Sequence, residues 1–263
     1  MTQRIQKPAR RRHALLAPPA LACAAWLALP VAALAQPPAL PEIARRSIAH
    51  HGFDRLPALE VALTVSSASG SFDVVARHGD LFEYTVETRD GDTERRHRQT
   101  NDTIEVFEGG REVALADEAA RRRARDYVSA RVYFLFPPYR VLDPSVYAED
   151  RGLDDPASWS GRRLHRVRVT FEPGTSTNAD AVFLYWFDPD TARLEQFAYT
   201  YRGGMRFRRL VDHRRVDGLL LADHENYGVD EDGVGIDDLD GARVAELPRV
   251  STVRLTGVRV RGR

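Results

Sequence analysis

Residues 59–87 read LEVALTVSSASGSFDVVARHGDLFEYTVE, and their spacing decides the fold. Leu59, Val61, Leu63 and Val65 alternate with Glu60, Ala62 and Thr64. Phe72, Val74 and Ala76 repeat the pattern, and Phe82, Tyr84 and Val86 repeat it again against Glu83, Thr85 and Glu87. A period of two belongs to a strand with one face on a core. Ser66 to Gly70 and His78-Gly79-Asp80 between them have turn composition. The segment therefore predicts three short antiparallel strands. Asp90-Gly91 predicts a further hairpin turn. Thr93 to Thr100 is polar on both faces, which suits an edge strand or a solvated ribbon. Thr103–Phe107 and Arg111–Leu115 flank Gly109-Gly110 as one more hairpin.

Outward from this meander the period changes. Upstream, Ile43, Ala44 and Ile48 fit a short helix over Glu42 to His51, stopped by Gly52. Downstream, Ala124, Val128, Val132 and Leu135 share one face of a helix predicted from Asp117, its N-cap, to Phe136. Pro137-Pro138 stops it, and a Pro- and Asp-rich connection is expected up to about Gly161. Strands resume at Val167–Phe171. Ala181 to Phe187, AVFLYWF, is apolar on both faces and predicts a strand covered on both sides. Leu194–Tyr201, Met205–His213, Leu219–Tyr227 and Val250–Val260 follow, with Asp217-Gly218 as a tight turn and 229–241 as an acidic loop. The sum is one α+β domain: a continuous antiparallel sheet with helices on one face.

The first 35 residues stand apart. Arg4, Lys7, Arg10, Arg11 and Arg12 precede an apolar run from Ala14, which ends in Ala33-Leu34-Ala35. A basic start, an apolar middle and small residues at −3 and −1 predict a signal peptide over 1–35 and a mature domain over 36–263. Export to the periplasm or outer cell envelope is the expectation. Pro18, Pro19 and Pro30 argue against a spanning helix. Removing the segment leaves 33 basic against 38 acidic residues, a net charge of −5 where the full chain has zero. Neither value gives the basic field of a nucleic-acid binder. Cys23, the single cysteine, lies within the segment, so the mature chain has no disulfide and no thiolate. Ala20-Leu21-Ala22-Cys23 fits a lipidation box poorly, because Ala20 stands where Leu is expected. Lys7 is the single lysine beside 37 arginines, a chain-wide bias rather than a patch.

No catalytic signature is legible. His50 and His51 are adjacent and point about 100° apart on a helix. His78, His97, His165, His213 and His224 are scattered over separate segments, so no metal and no cofactor are expected. Aligning Asp232-Gly233 or Asp240-Gly241 to the calcium-loop pattern puts Leu239 or Leu247 at the last ligand position. Phosphate loop, nucleophile elbow and dinucleotide fingerprint are missing. The distinctive feature is aromatic: Phe183, Tyr185, Trp186, Phe187, Phe197, Tyr199, Tyr201 and Phe207 fall within 25 residues. With a five-residue loop 188–192, Phe187 pairs with Arg193 and Phe183 with Phe197. Phe183, Tyr185, Phe197, Tyr199 and Tyr201 then form one face, and Leu194 and Ala198 join Leu184 and Trp186 on the other. A four-residue loop reverses this partition, since a one-residue slip flips every side chain. The five-residue loop is favoured because it gathers the aromatics. Those five residues are the candidate ligand-binding face, bordering an apolar cavity beneath the mid-chain helix.

The order of segments carries a resemblance. His51-Gly52 closes a short helix; a meander and a helix lead to Pro137-Pro138-Tyr139 and Leu142-Asp143-Pro144. Tyr185-Trp186 precedes Asp188-Pro189-Asp190-Thr191, and Phe197-Ala198-Tyr199 and Arg206-Phe207-Arg208 precede Val216-Asp217-Gly218. Over roughly residues 40–228 this resembles a family of uncharacterised exported bacterial proteins. More distantly it is similar to the periplasmic lipoprotein carriers and outer-membrane lipoprotein receptors. The resemblance implies a curved, unclosed half-barrel with helices on its concave side, and acyl chains held in an apolar cavity. The expected partners are a lipid or lipoprotein; Arg121, Arg122, Arg123 and Arg125 read first as a solvated helix face, with peripheral membrane contact as the alternative. Nucleic acid is not expected. The alternative is a non-catalytic structural or interaction module of the envelope with a filled core. A hydrolase is the least supported reading.

Overall fold

The computed structural model describes residues 40–154, 161–173, 180–201, 204–229, 234–239 and 241–263. The expected signal peptide, 1–35, and Cys23 lie outside the described residues. Helix α1 (Glu42–His51) leads through a 3-10 turn into six strands: β1 (Leu59–Ser67), β2 (Gly70–Arg77), β3 (Glu83–Asp90), β4 (Thr93–Thr100), β5 (Ile104–Glu108) and β6 (Arg111–Glu112). Helix α2 (Glu118–Val132) follows. Then come β7 (Val146–Leu153), β8 (His165–Phe171), β9 (Phe183–Phe187), β10 (Leu194–Tyr201), β11 (Gly204–Val216) and β12 (Leu219–Val229). A short helix, α3 (Gly241–Glu246), and β13 (Arg249–Gly262) end the order.

All thirteen strands form one unclosed antiparallel sheet, ordered β6-β5-β4-β3-β2-β1-β13-β12-β11-β10-β9-β8-β7. It is two meanders running in opposite directions from a central seam, where β1 pairs with β13. Their outer ends, β6 and β7, are consecutive in sequence but lie at opposite edges. Residues 113–145 must therefore cross the sheet, and α2 occupies that crossing. Asp117 caps it by accepting from the Ala120 amide at 2.7 Å. Its buried residues, Ala124, Val128 and Val132, are the face expected from their spacing. The sheet curves around the helices. Inward residues of β1–β5, of β8–β12, of α1 and of α2 join a single core that includes Val61, Val86, Phe53, Phe136, Val167 and Phe197.

A second, smaller core lies on the opposite face. Leu184 and Trp186 of β9, Ala198 of β10 and Phe207 of β11 pack there under Ile236, Leu239 and Val244. This is why AVFLYWF is apolar on both faces. It also revises the reading of 229–241: Ile236 and Leu239 are buried, so that part of the acidic segment is a cover rather than a solvated loop. Strand β7 is the other departure, since it lies in the stretch expected to be irregular connection. It turns only Val146 and Ala148 inward, its other six residues being intermediate or exposed, and its register breaks between Asp150 and Gly152. So short an alternation, interrupted by a bulge, gives little periodic signal.

Both expected turn glycines sit in the left-handed region, Gly91 at φ +58° and Gly218 at +87°. Nothing lies near a Cβ built on Gly91. Gly91→Val should therefore show the backbone cost alone, roughly 1 kcal/mol in urea unfolding. A loss near zero would mean the turn relaxes into another type.

Candidate functional site

Strands β9 and β10 do not pair in the register expected. Phe187 faces Leu194, Tyr185 faces Phe197 and Phe183 faces Tyr199, with a register break between Leu194 and Gln196. Ala192 takes φ +60°, and the Asp188 amide donates to the Arg193 carbonyl at 2.9 Å. A connection one residue longer than expected shifts Phe187 onto Leu194, and the break adds one more, so Phe183 pairs two residues beyond the expected Phe197. Because the shift is even, the aromatic face survives. Leu194, expected beside Leu184 and Trp186, lies on the aromatic side instead; the break at Glu195 returns it there.

The five candidates occupy two depths. Phe183, Tyr199 and Tyr201 line a cavity of about 640 Å³ between α2 and the sheet. Phe134 and Phe171 complete its apolar floor. Phe183 is the hub, with ring centroids at 4.9 Å to Tyr133, 5.4 Å to Tyr199 and 5.8 Å to Phe171. Phe134 lies 4.7 Å from Tyr199. Tyr185 and Phe197 sit beneath, fully buried and outside the lining. Tyr185 hydrogen-bonds through its hydroxyl to that of Tyr133 at 3.1 Å. Burial raises both phenols, Tyr133 to about 12, so the pair stays neutral. Phe197 supports the floor, stacked 6.1 Å from Phe134 and edge-on to His224. Arg208 completes this support: its guanidinium lies 4.0 Å over the Phe134 ring and donates to the Tyr199 hydroxyl at 3.2 Å.

The rim is polar. Arg122, Arg125 and Asp126 of α2 line it, as do Arg140 and Asp143 of the segment after that helix. Arg121 and Arg125 both approach Glu118, at 3.7 and 3.5 Å, in exposed pairs of little energetic weight. Arg122 thus borders the cavity and Arg123 faces solvent. Tyr133, Phe134 and Arg140 were not singled out from the sequence. The sequence pattern continues the helix through the first two; in the structure α2 tightens at Tyr133–Leu135 into a 3-10 turn that aims both rings at β9 and β10.

Unlike their scatter in sequence, three histidines gather at Leu194: His51 and His213 both bond its backbone, and the His50 ring lies 5.8 Å from that of His51. His51 spans two backbones: Nδ1 lies 2.9 Å from the Leu220 carbonyl, and the Leu194 amide donates to Nε2 at 3.1 Å. His97 stacks 4.3 Å from Tyr127, and His165 pairs with Asp150 at 2.7 Å. Among the described residues, no three His, Cys, Asp or Glu side chains could hold a metal ion.

A family model matches residues 66–239, two thirds of the chain, and its description is a family of unknown function, DUF6503. The chain belongs to that family. The DUF6503 match runs from the end of β1 to Leu239, so it includes α2 and every aromatic of the cavity floor. Among curated proteins none matches the sequence. Two solved structures are similar. A LolA superfamily protein from Nitrosomonas europaea is 10% identical, with a TM-score of 0.48 over 84% of this chain and 93% of its own. A domain from Vibrio parahaemolyticus described as an outer membrane lipoprotein-sorting protein is 9% identical, with a TM-score of 0.47 over 84% and 91%.

Proposed function

We propose that this is an exported cell-envelope protein that holds a hydrophobic ligand (a lipid, an acyl chain or a lipoprotein) in the cavity under α2. The observation that carries the reading is the combination of size and lining. About 640 Å³ falls in the range of small-molecule sites, and six aromatic rings line it. A filled core would have closed such a space, because interiors pack densely and voids lose contact energy. The basic, apolar, small-residue sequence of 1–35 supports delivery to the envelope, and the resemblance to lipoprotein carriers points to the same ligand class. Phe183, Tyr199 and Tyr201 would touch the ligand, with Tyr185 and Phe197 holding them in place.

The test is to fill the space. Ala130 is an exposed α2 residue on the cavity lining. Ala130→Trp should reduce binding of a fluorescent fatty acid at least tenfold with little change in thermal midpoint, while Arg123→Ala binds as the parent does. Full binding by Ala130→Trp would place the probe elsewhere. A folded parent that takes up no probe would leave the structural-module reading.

A further inference from the structure

A second, much smaller void adjoins the cavity. It measures about 30 Å³, room for one small polar group, and shares Ser129, Tyr133 and Arg140 with the large one. His78 and Tyr84 line it but not the large cavity. In contrast to the aromatic floor, this corner holds unused donors. Nε of Arg140 and Nε2 of His78 are buried and have no hydrogen-bond partner in the protein. Tyr84 Oη lies 3.0 Å from His78 Nδ1, and Arg140 donates toward the same oxygen. The Tyr84 proton is therefore directed to Nδ1, which leaves the imidazole proton on Nε2. Burial and the neighbouring guanidinium push His78 down to about 3, so it is neutral and has that one N–H. The nearest acid, Asp143, has Oδ2 3.7 Å from Arg140 Nη2, and its Oδ1 accepts from the amide and hydroxyl of Ser145. It leaves Nε free. Buried donors without acceptors are costly, and two beside a cation match one anionic acceptor.

On the reading that the cavity takes a hydrophobic ligand, we infer that the ligand is a long-chain carboxylic acid. Its chain lies on Phe183, Tyr199 and Phe134, and its carboxylate enters the corner between Arg140 and His78, accepting from Arg140 Nε and His78 Nε2. The small volume favours a planar carboxylate over a phosphate head group.

Calorimetric titration of the delipidated full chain with palmitate, hexadecanol and hexadecyl phosphate tests this. Palmitate should bind at least tenfold more tightly than either. In Arg140→Gln the palmitate-to-hexadecanol preference should fall toward one, and Arg140→Lys should recover part of it. Hexadecanol binding by each variant reports that the cavity is still folded. Equal affinity of the parent for palmitate and hexadecanol overturns the carboxylate, while the cavity reading stands. Tighter binding of hexadecyl phosphate overturns the choice of head group. A preference that persists in Arg140→Gln overturns the corner. No binding of any of the three overturns the hydrophobic-ligand reading itself.

Discussion

Lowering the pH from 7 to 5 should cost this protein a large part of its stability. His51, His78 and His224 are each at most 2% exposed, and burial holds each near a pKa of about 3, against an ordinary value of 6.5. Arg140 adds to the effect at His78 and Arg208 at His224; the Leu220 carbonyl opposes it at His51. His97 is lowered to about 4 by its half-buried stacking place. The sign follows from which state takes protons first. The unfolded chain protonates near 6.5 and the folded chain does not, so stability is complete above 6.5 and is lost as pH falls toward 3. At pH 5 each of the three buried rings costs about 2 kcal/mol, or about 6 together. Domains of this kind are stable by roughly 5–15 kcal/mol. Urea midpoints measured by tryptophan fluorescence should therefore drop steeply between pH 6.5 and 5. His224→Leu should flatten that slope by about one proton. A midpoint constant from pH 7 to 5 would show that the rings are hydrated or charged in the folded protein.

Gly52→Ala should be among the most damaging single methyl additions to the chain. Gly52 caps α1 at φ +71°, which by itself costs an alanine about 1 kcal/mol. It also lies against the hairpin joining β11 to β12. A Cβ there would penetrate the carbonyl oxygen of Gly218, and that obstacle is backbone. Relief requires moving α1 off the sheet, which would strain His51 on Leu220 and Leu194 and Arg55 on the Asp217 carbonyl at 3.0 Å. The combined loss is expected at about 3 kcal/mol or more, against roughly 1 kcal/mol at Gly91. Gly218→Ala is the informative contrast. There the added methyl meets the tip of Arg55, a flexible side chain that can swing away. Equal urea midpoints for Gly52→Ala and Gly91→Val would mean that α1 is not pinned to the hairpin.

These two results also mark what the sequence could and could not convey. The alternation of Leu59–Val86 and the 3.6-residue spacing of Ala124, Val128 and Val132 report single elements facing a core, and both are local properties. The aromatic face of β9 and β10 was legible because its parity survives an even shift; the pairs within it were not, because nothing local announces a break at Glu195. The cover formed by Ile236 and Leu239 was hidden in a run of acids whose few apolar residues carry the packing. Arg140 and His78 are 62 positions apart and meet only because residues 113–145 cross the sheet. Their juxtaposition is a consequence of topology, which periodicity does not encode.

The seam between β1 and β13 has a kinetic meaning. Leu59 pairs with Gly262 and Val61 with Val260, about 200 residues apart, whereas each remaining ladder joins neighbours in sequence. Closing it has the largest loop entropy of any pairing in the molecule, and such contacts form late. Each meander can zip from its own hairpins, but until the seam closes β1 and β13 each present an unpaired central edge, the kind that recruits other chains. A chain emerging N-terminus first exposes the free edge of β1 until β13 has been made. The vulnerable interval is thus the wait for β13, and a factor that shields β1 during that wait would act on yield while leaving the finished fold untouched.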